Sequence, residues 1–350
     1  MQWSELERPA EIERRWAELR RGEGENEGES AARALTLNLI CRTADAADAE
    51  ALAACMWALG PRHPARVFLV TPAASGVKLR VAADPHGSEL VELAAPPERA
   101  ASLVAPLLAT DLPVVLLWRG HAPHASPEFR EWVEMSDRVL VDTQRLQWSA
   151  AQLAALAQEV PPHAHLSDLA WTRLTPWRQL LCQGLETAAH GVQQIRRVTI
   201  VGGGGGSLAG QPHVGVAATL LAGWLAQQLQ WSAQAKLGPE ALCVQAPQGE
   251  AIELRFEPGA EPRLRQLTVE GEEGGMAVTI EHQGAQIALS VRRGGALVGH
   301  WAGATEDAER LRGEPETLCE ELSIYGGDAL YQQSLARGLE LLARLDAEAA

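Results

Sequence analysis

A chain of 350 residues is longer than one hydrophobic core ordinarily supports, and with 46% hydrophobic and 21% charged residues it reads as two globular domains. Its 30 basic residues stand against 45 acidic ones, a formal charge of −15 that disfavours nucleic acid and anionic membrane surfaces as partners. No stretch approaches the roughly 20 apolar residues of a membrane span, and Met1 to Arg21 lacks an apolar signal core, so a cytoplasmic location is expected.

In chain order, Ile12 to Leu19 is a helix candidate, with Ser4, Glu5 and Glu7 read as helix-start charges, and the acidic, glycine-rich Gly22 to Ser30 reads as a flexible linker. Leu35 to Cys41 reads as a strand and Asp45 to Leu59 as a helix whose apolar face is Leu52, Cys55, Met56 and Leu59. After the breaker Pro61 to Pro64, Arg66 to Val70 and Val77 to Ala82 read as an antiparallel pair around a turn at Ala73 to Gly76. Glu89 to Leu93 follows as a strand, then a helix over Pro97 to Leu108, the strand Val114 to Trp118, a helix over Pro127 to Met135, the strand Val139 to Val141 and a helix over Ala150 to Gln158. Strands alternating with helices imply a mixed, mainly parallel sheet with helices on both faces.

Thr175 before Pro176 reads as an N-cap with proline at the first helical position, so a loop from Asp168 feeds a helix that runs to about Ala189. The strand Val198 to Val201, the glycines Gly202 to Gly206 and a helix over Val214 to Leu229 come next. From Ala241 to Gly299 the alternation changes to four or five short strands, that of an antiparallel sheet with one wet face, and helices at Pro315 to Ser323 and Ala329 to Leu345 close the chain. The fold class is therefore α/β, with an N-terminal mixed, mainly parallel domain over 34–190 and a C-terminal α+β domain with an antiparallel sheet over 191–350. Residues 1–33 form an N-terminal helix and linker.

No constellation for catalysis emerges. There is no Gly-x-Ser-x-Gly turn, no cysteine with a helper base and no isolated pair of carboxylates. The five glycines lack a following Lys-Ser/Thr and read as a flexible loop rather than a phosphate cradle. The pairs His121/His124 and His163/His165 lie in Pro/Ala-rich loops without cysteine, so neither metal nor cofactor is expected. Cys41, Cys55, Cys182, Cys243 and Cys319 are scattered, odd in number and free of Cys-x-x-Cys, the usage of small core thiols in a reducing compartment.

What stands out is a set of tryptophans and arginines. Asp111 to Gly120 is an apolar run ending in Trp118, Arg119 and Gly120, the pattern of a buried strand that emerges at a loop. Asp137 to Asp142 is a second such strand, and Asp168 to Arg178 holds Trp171, Arg173, Trp177 and Arg178 within eleven residues. Two readings fit. In one, the tryptophans fill a joint while the arginines pair with Asp111, Asp137, Asp142 and Asp168. In the other, Trp118, Arg119, Asp168, Trp171, Arg173, Trp177 and Arg178 line a face that binds a partner or an anionic ligand such as a sugar phosphate or nucleotide.

On Asp111 to Gly120, Asp137 to Thr143 and above all Asp168 to Arg178, the sequence resembles the glucose-6-phosphate dehydrogenase assembly protein family, OpcA. His63-Pro64-Ala65-Arg66, Leu35 to Ile40, Glu320-Glu321-Leu322 and Asp328-Ala329-Leu330-Tyr331 echo it more weakly. The resemblance implies a non-enzymatic partner that promotes the oligomerisation and activity of glucose-6-phosphate dehydrogenase, and thereby NADPH production in the oxidative pentose phosphate pathway. It fixes no oligomeric state for the chain itself. Cyanobacterial members are associated with thioredoxin regulation, and many members carry a cysteine before a Ser-Glu pair; here His86 and Gly87 precede Ser88 and Glu89.

Overall fold

The computed structural model describes residues 4–6, 11–23, 35–59, 62–83, 88–123, 125–188, 194–202, 214–257, 259, 263–272, 275–283, 286–302, 313–324 and 326–346. They form two compact units that interleave along the chain. The first comprises Met1–Asp142, Leu156–Ser167 and Glu314–Gly327; the second comprises Thr143–Ala155, Asp168–Gly313 and Asp328–Ala350.

The first unit carries strands β1 (Ser4–Leu6), β2 (Leu37–Arg42), β3 (Ala65–Pro72), β4 (Lys78–Ala83), β5 (Glu89–Ala95), β6 (Val114–Trp118) and β7 (Arg138–Val141). β8 (His165–Asp168) completes an eight-stranded sheet of order β1-β4-β5-β3-β2-β6-β7-β8. β5, β3, β2, β6 and β7 pair in parallel and are buried along nearly their whole length, which is why they read as unbroken apolar runs. The helices are α1 (Ile12–Glu23), α2 (Ala46–Leu59), α3 (Pro97–Val104), α4 (Pro127–Glu134) and, near the end of the chain, α10 (Glu314–Leu322). Asn38, fully buried in β2, satisfies its amide on Ala109 and Leu112, tying the centre of the sheet to the loop before β6.

Four details depart from the sequence reading. β3 and β4 do not form a hairpin. β5 lies between them, parallel to β3 and antiparallel to β4, because β3 is buried on both faces and needs an apolar neighbour while β4, carrying Lys78 and Arg80, suits a place nearer the edge. Ser4 and Glu5 belong to β1, antiparallel to β4, not to a helix start. α3 stops at Val104 and continues as a 3-10 turn, since Pro106 lacks the N–H that another α-turn needs. Helix α1 takes in Gly22 and Glu23, and the remainder of the expected linker lies outside the described residues, as do Glu7, His86, Gly87 and His124.

The second unit contains α5 (Thr143–Leu146), α7 (Leu169–Arg173), α8 (Thr175–Thr187), β9 (Arg197–Gly202), α9 (Val216–Gln228), strands β10 (Ser232–Gly238) to β16 (Ala296–Ala302) and α11 (Ala329–Asp346). Helix α6 (Ala150–Glu159) is shared between the two units. The intervening strands are β11 (Ala241–Gln245), β12 (Ala251–Glu257), β13 (Leu264–Glu270), β14 (Met276–Gln283) and β15 (Gln286–Arg293), in a sheet of order β10-β11-β12-β9-β13-β14-β15-β16. Only β12 and β9 pair in parallel. β10 and β16, at the two edges, escaped the sequence reading because both are rich in alanine and glycine. Gly202 ends β9 with φ of 88° and an added Cβ would lie 2.5 Å from the Arg263 carbonyl; Gly203 to Gly206 lie outside the described residues.

One face of this sheet alternates buried Leu, Ile, Val and Phe and receives the helices. α9 is buried at every residue from Val216 to Ala226, as a helix apolar all round must be, and it packs against both the sheet and α11. The two helices touch backbone to backbone. A Cβ on Gly223 would lie 2.0 Å from the Ser334 carbonyl, and one on Gly338 2.5 Å from the Thr219 carbonyl. Backbone atoms cannot swing aside, so Gly223→Ala should lose about 3 kcal/mol despite alanine's better helix propensity, measured by urea unfolding.

His63, within the breaker before β3, places its Nε2 against the Cys319 carbonyl and the Ser323 hydroxyl at the end of α10, each at 3.2 Å. Burial pushes its pKa below the usual 6.5, against the opposing pull of the Cys319 carbonyl. The unfolded chain then takes up a proton that the folded one refuses, so the stability His63 contributes is complete at neutral pH and lost as pH falls below 6.5. His63→Asn, which keeps a donor there, should shrink the drop in Tm between pH 7.5 and pH 5.5.

Candidate functional site

The residues singled out from sequence divide between the two units. In the first, Trp118 ends β6 with 3% of its surface exposed; its indole Nε1 donates to the His121 carbonyl, and it stands edge-on to Phe129 with centroids 5.1 Å apart. Arg42 lies over the ring at 5.1 Å and forks onto both oxygens of Glu128 at the start of α4. Arg119, 2% exposed, donates to Asp48 of α2 at 2.6 Å and to Glu314, the first residue of α10. The carboxylates that neutralise Arg119 are therefore on two helices, and sequence spacing gave no sign of either.

The second unit holds the Asp168 to Arg178 segment. Asp168 ends β8 and caps α7: its carboxylate accepts from the Ala170 amide at 2.9 Å, from the Thr143 amide at 3.2 Å and from the Thr143 hydroxyl at 2.6 Å. The expected loop from Asp168 is thus a short helix. Thr175 is not an N-cap but the first residue of α8, whose cap position is Leu174; its hydroxyl accepts from Arg178 instead. Proline at the opening turn still explains why α8 begins where it does.

Trp171 is buried, and its Nε1 donates to Asp328 Oδ2 at 2.8 Å, while the other oxygen of Asp328 accepts from the Tyr331 amide in the first turn of α11. The rings of Trp171 and Tyr331 lie 6.0 Å apart, and the Arg178 guanidinium stacks 3.6 Å over Trp171. The segment Asp328 to Tyr331, a weak echo in the sequence, is therefore a structural partner of the strongest motif. Trp177 faces the sheet, buried and edge-on to His282 at 5.3 Å, so it is core rather than a gripping group. Arg173, half-buried, closes α7.

On its other side α8 offers a stripe. Thr175, Arg178, Gln179, Cys182, Gln183 and Glu186 recur at helical spacing and, with Trp224 of α9 and Leu330 of α11, line a groove of about 510 Å³. Leu180, Leu181 and Gly184 face the core, where a Cβ on Gly184 would lie 2.6 Å from Val278, so the helix sits tightly on the sheet and its outer stripe is rigid. Cys182 is the exposed thiol, and burial together with Glu186 raises its pKa against the pull of Arg178, leaving it protonated and slow to react. Of the sequence candidates only Arg178 reaches this groove. Cys182, Glu186, Trp224 and Leu330 were missed because their convergence depends on three helices far apart in the chain. Among the described residues no three His, Cys, Asp or Glu side chains group as a metal site, and no helix is long and apolar enough to cross a membrane.

Two sequence profiles match this chain: the glucose-6-phosphate dehydrogenase subunit N-terminal domain over residues 58–158 and its C-terminal domain over 164–335. A relative from Synechocystis sp., named as an OxPP cycle protein, OpcA, is 27% identical over 142 residues; the match covers 39% of this chain and spans only 27% of that relative's length. Solved structures share the fold at low identity. KijD10, a 3-ketoreductase from Actinomadura kijaniata in complex with NADP and TDP-benzene, is 12% identical with a TM-score of 0.51, covering 87% of this chain and 95% of that one. Levoglucosan dehydrogenase in complex with NADH and L-sorbose is 14% identical with a TM-score of 0.52, covering 89% and 98%.

The run β5-β3-β2-β6-β7-β8 is the strand order of doubly wound dinucleotide-binding sheets, whose ligand crevice lies at the strand ends where the order reverses, here between β2 and β6. The residues present do not fit a dinucleotide. Thr43, Ala44 and Asp45 join β2 to α2 without a glycine, Asp45 Oδ1 takes the Asp48 amide at 2.9 Å, and Asp48 Oδ2 takes the Ala44 amide at 3.0 Å. Two amides that would have faced a pyrophosphate meet carboxylates instead. Trp118 and Arg119, with Arg42 and Glu128, occupy the reversal point. Arg119→Ala would strand Asp48 and should cost about 3–5 kcal/mol, and Asp168→Ala, which removes a cap and orphans Thr143, about 2–3 kcal/mol, both read by chemical unfolding.

Proposed function

The chain belongs to the OpcA family of glucose-6-phosphate dehydrogenase assembly proteins, and from that premise we propose that it is a non-catalytic partner that stabilises the active oligomer of glucose-6-phosphate dehydrogenase. The observation that carries this reading is the α8 groove. It is built on the most distinctive motif of the chain, and its polar stripe is held rigid by Trp177, Leu180 and Gly184 beneath it. A stacked arginine beside an indole is the composition of an interface hot spot. The mechanism is linkage: a partner that binds the competent dehydrogenase more tightly than the incompetent one shifts the population toward it, tenfold for about 1.4 kcal/mol of preference. A cytoplasmic location and a role in NADPH supply accompany this reading.

The fold likeness to reductases motivates a second reading, in which the protein binds a nucleotide or sugar phosphate. Arg119 pairs with Asp48 and Glu314; in this reading Arg173 and Arg178, the latter stacked on Trp171, would hold the anion. A ligand at 100 times its dissociation constant would add about 2.7 kcal/mol of stability, so a thermal-shift series with glucose 6-phosphate, 6-phosphogluconate, NADP and NADPH separates the two. The first reading expects no shift with these compounds but a rise in dehydrogenase activity and oligomer mass on adding this protein. Arg178→Glu should weaken the complex at least tenfold while leaving the fold intact, and the dehydrogenase should shield Cys182 from thiol labelling. Unchanged dehydrogenase activity and mass in the presence of the wild-type chain would overturn the proposal.

A further inference from the structure

The outer stripe of α8, turned end for end, is its own complement. Thr175, Gln179 and Gln183 form one row at four-residue spacing, and Arg178, Cys182 and Glu186 form a second beside it. Arg178 stands four residues before Cys182 and Glu186 four residues after, so a positive and a negative group lie about 6 Å to either side of the thiol along the helix axis. Gln179, Cys182, Gln183 and Glu186 are exposed, and Arg178 is half-buried where it stacks on Trp171. Trp224 of α9 and Leu330 of α11 wall the groove beside them.

We infer that this stripe is also the contact between two copies of the chain, with their α8 helices laid antiparallel about a twofold axis at Cys182. The charge order selects a second copy. Reversal brings Arg178 of one copy to Glu186 of the other, and the same pair recurs across the axis, as an isologous contact requires. A stripe of one sign would repel its own image, whereas here each guanidinium meets a carboxylate. Between the two pairs lie groups that match themselves. The thiols face one another at the axis, and Gln179 of one copy comes beside Gln183 of the other, amide to amide, each able to donate and to accept. The form of the stripe agrees, because the channel between two rows at four-residue spacing receives such a row from a second helix.

The inference rests on the groove being a docking surface, as in the proposed role, and adds how that surface is regulated. A helix of 13 residues is about 20 Å long, and one pair of such helices buries less than the roughly 800 Å² per partner of a standard complex. Each copy also carries a formal charge of −15, which opposes the approach. The dimer is therefore weak, and it covers Arg178. A second copy and the dehydrogenase compete for one stripe, so the free chain keeps it covered until the tighter partner displaces the twin by mass action.

The test is the mass of the full chain by sedimentation over a concentration series, without any dehydrogenase. A reversible dimer with a dissociation constant on the order of 10–100 µM is expected. Arg178→Glu and Glu186→Arg should each raise that constant at least tenfold, and the double variant, which restores opposite charges across the axis, should bring it back to within about threefold of the wild type. Only contact of the stripe with its own image recovers in this way. Should a single variant fail to fold, a short bismaleimide at pH 8 carries the test: it should link two wild-type copies and none of Cys182→Ser. A monomer throughout the series, a dimer indifferent to the single charge changes, a double variant as weak as the singles, or crosslinking that survives Cys182→Ser would overturn the inference. Activation of dehydrogenase by a chain that stays monomeric would remove the dimer and leave the assembly role standing; a dimer that activates nothing would do the reverse.

Discussion

One carboxylate sets the geometry on which the α8 groove depends. Asp168 is the last residue of a strand and the cap of a helix, and its oxygens are shared between the start of α7 and Thr143 at the start of α5. A buried carboxylate that accepts three hydrogen bonds has little freedom to turn, so the five residues of α7 leave the strand in a fixed direction. That direction places Trp171 where Asp328 can receive its N–H, and it places Arg178, two turns on, over the indole ring. Each of these contacts is modest alone. Together they hold a guanidinium at a groove without spending the side-chain entropy that a free arginine would lose on binding.

The other unit shows the complementary use of charge. A doubly wound sheet ordinarily leaves a crevice where its strand order reverses, and there a ligand is bound by helix N-termini and glycine-rich turns. Here the place is taken by Trp118, Arg42 over its face and the Arg119 ion pairs, while Asp45 and Asp48 supply to their own backbone the acceptors that a phosphate would bring. Buried pairs of this kind give little net stability compared with an apolar filling, yet removing one member is costly, so they fix the arrangement rather than strengthen it.

Much of this was readable in the chain. The buried parallel strands announce themselves as apolar runs, and the alternation of Ile252, Leu254 and Phe256 or of Val278 and Ile280 declares a sheet with one covered face. Pro127 behind Ser126 and Pro176 at the head of α8 mark helix starts. The failures have physical causes. The position of β5 between β3 and β4 depends on which neighbour buries more apolar surface, a comparison that local turn chemistry does not contain. β8 has four residues, too few for periodicity, and β10 is mostly alanine, glutamine and lysine, so its strand state comes from pairing rather than propensity. Within the site, tryptophan and arginine were visible as a motif, but their partners Asp48, Glu314 and Asp328 are distant in sequence, and side chains that meet only through tertiary structure leave no spacing to read.

That division explains why a reading of residue types alone could not separate grip from packing. Trp177 and Arg178 are neighbours in the chain with the same claim to be interface residues, yet the helical turn between them sends one into the sheet and the other onto the surface. The first makes the second effective, since a stripe held on a rigid core meets a partner without rearranging. A groove of eight residues is small beside an interface of standard size. A factor that favours one state of an enzyme, however, needs only the difference in affinity between two states, and an anchor of fixed geometry can supply a difference of one or two kcal/mol where its total contribution is not much larger. In the proposed role, the tight seat of α8 on the sheet is what would let Arg178 meet a partner in one geometry.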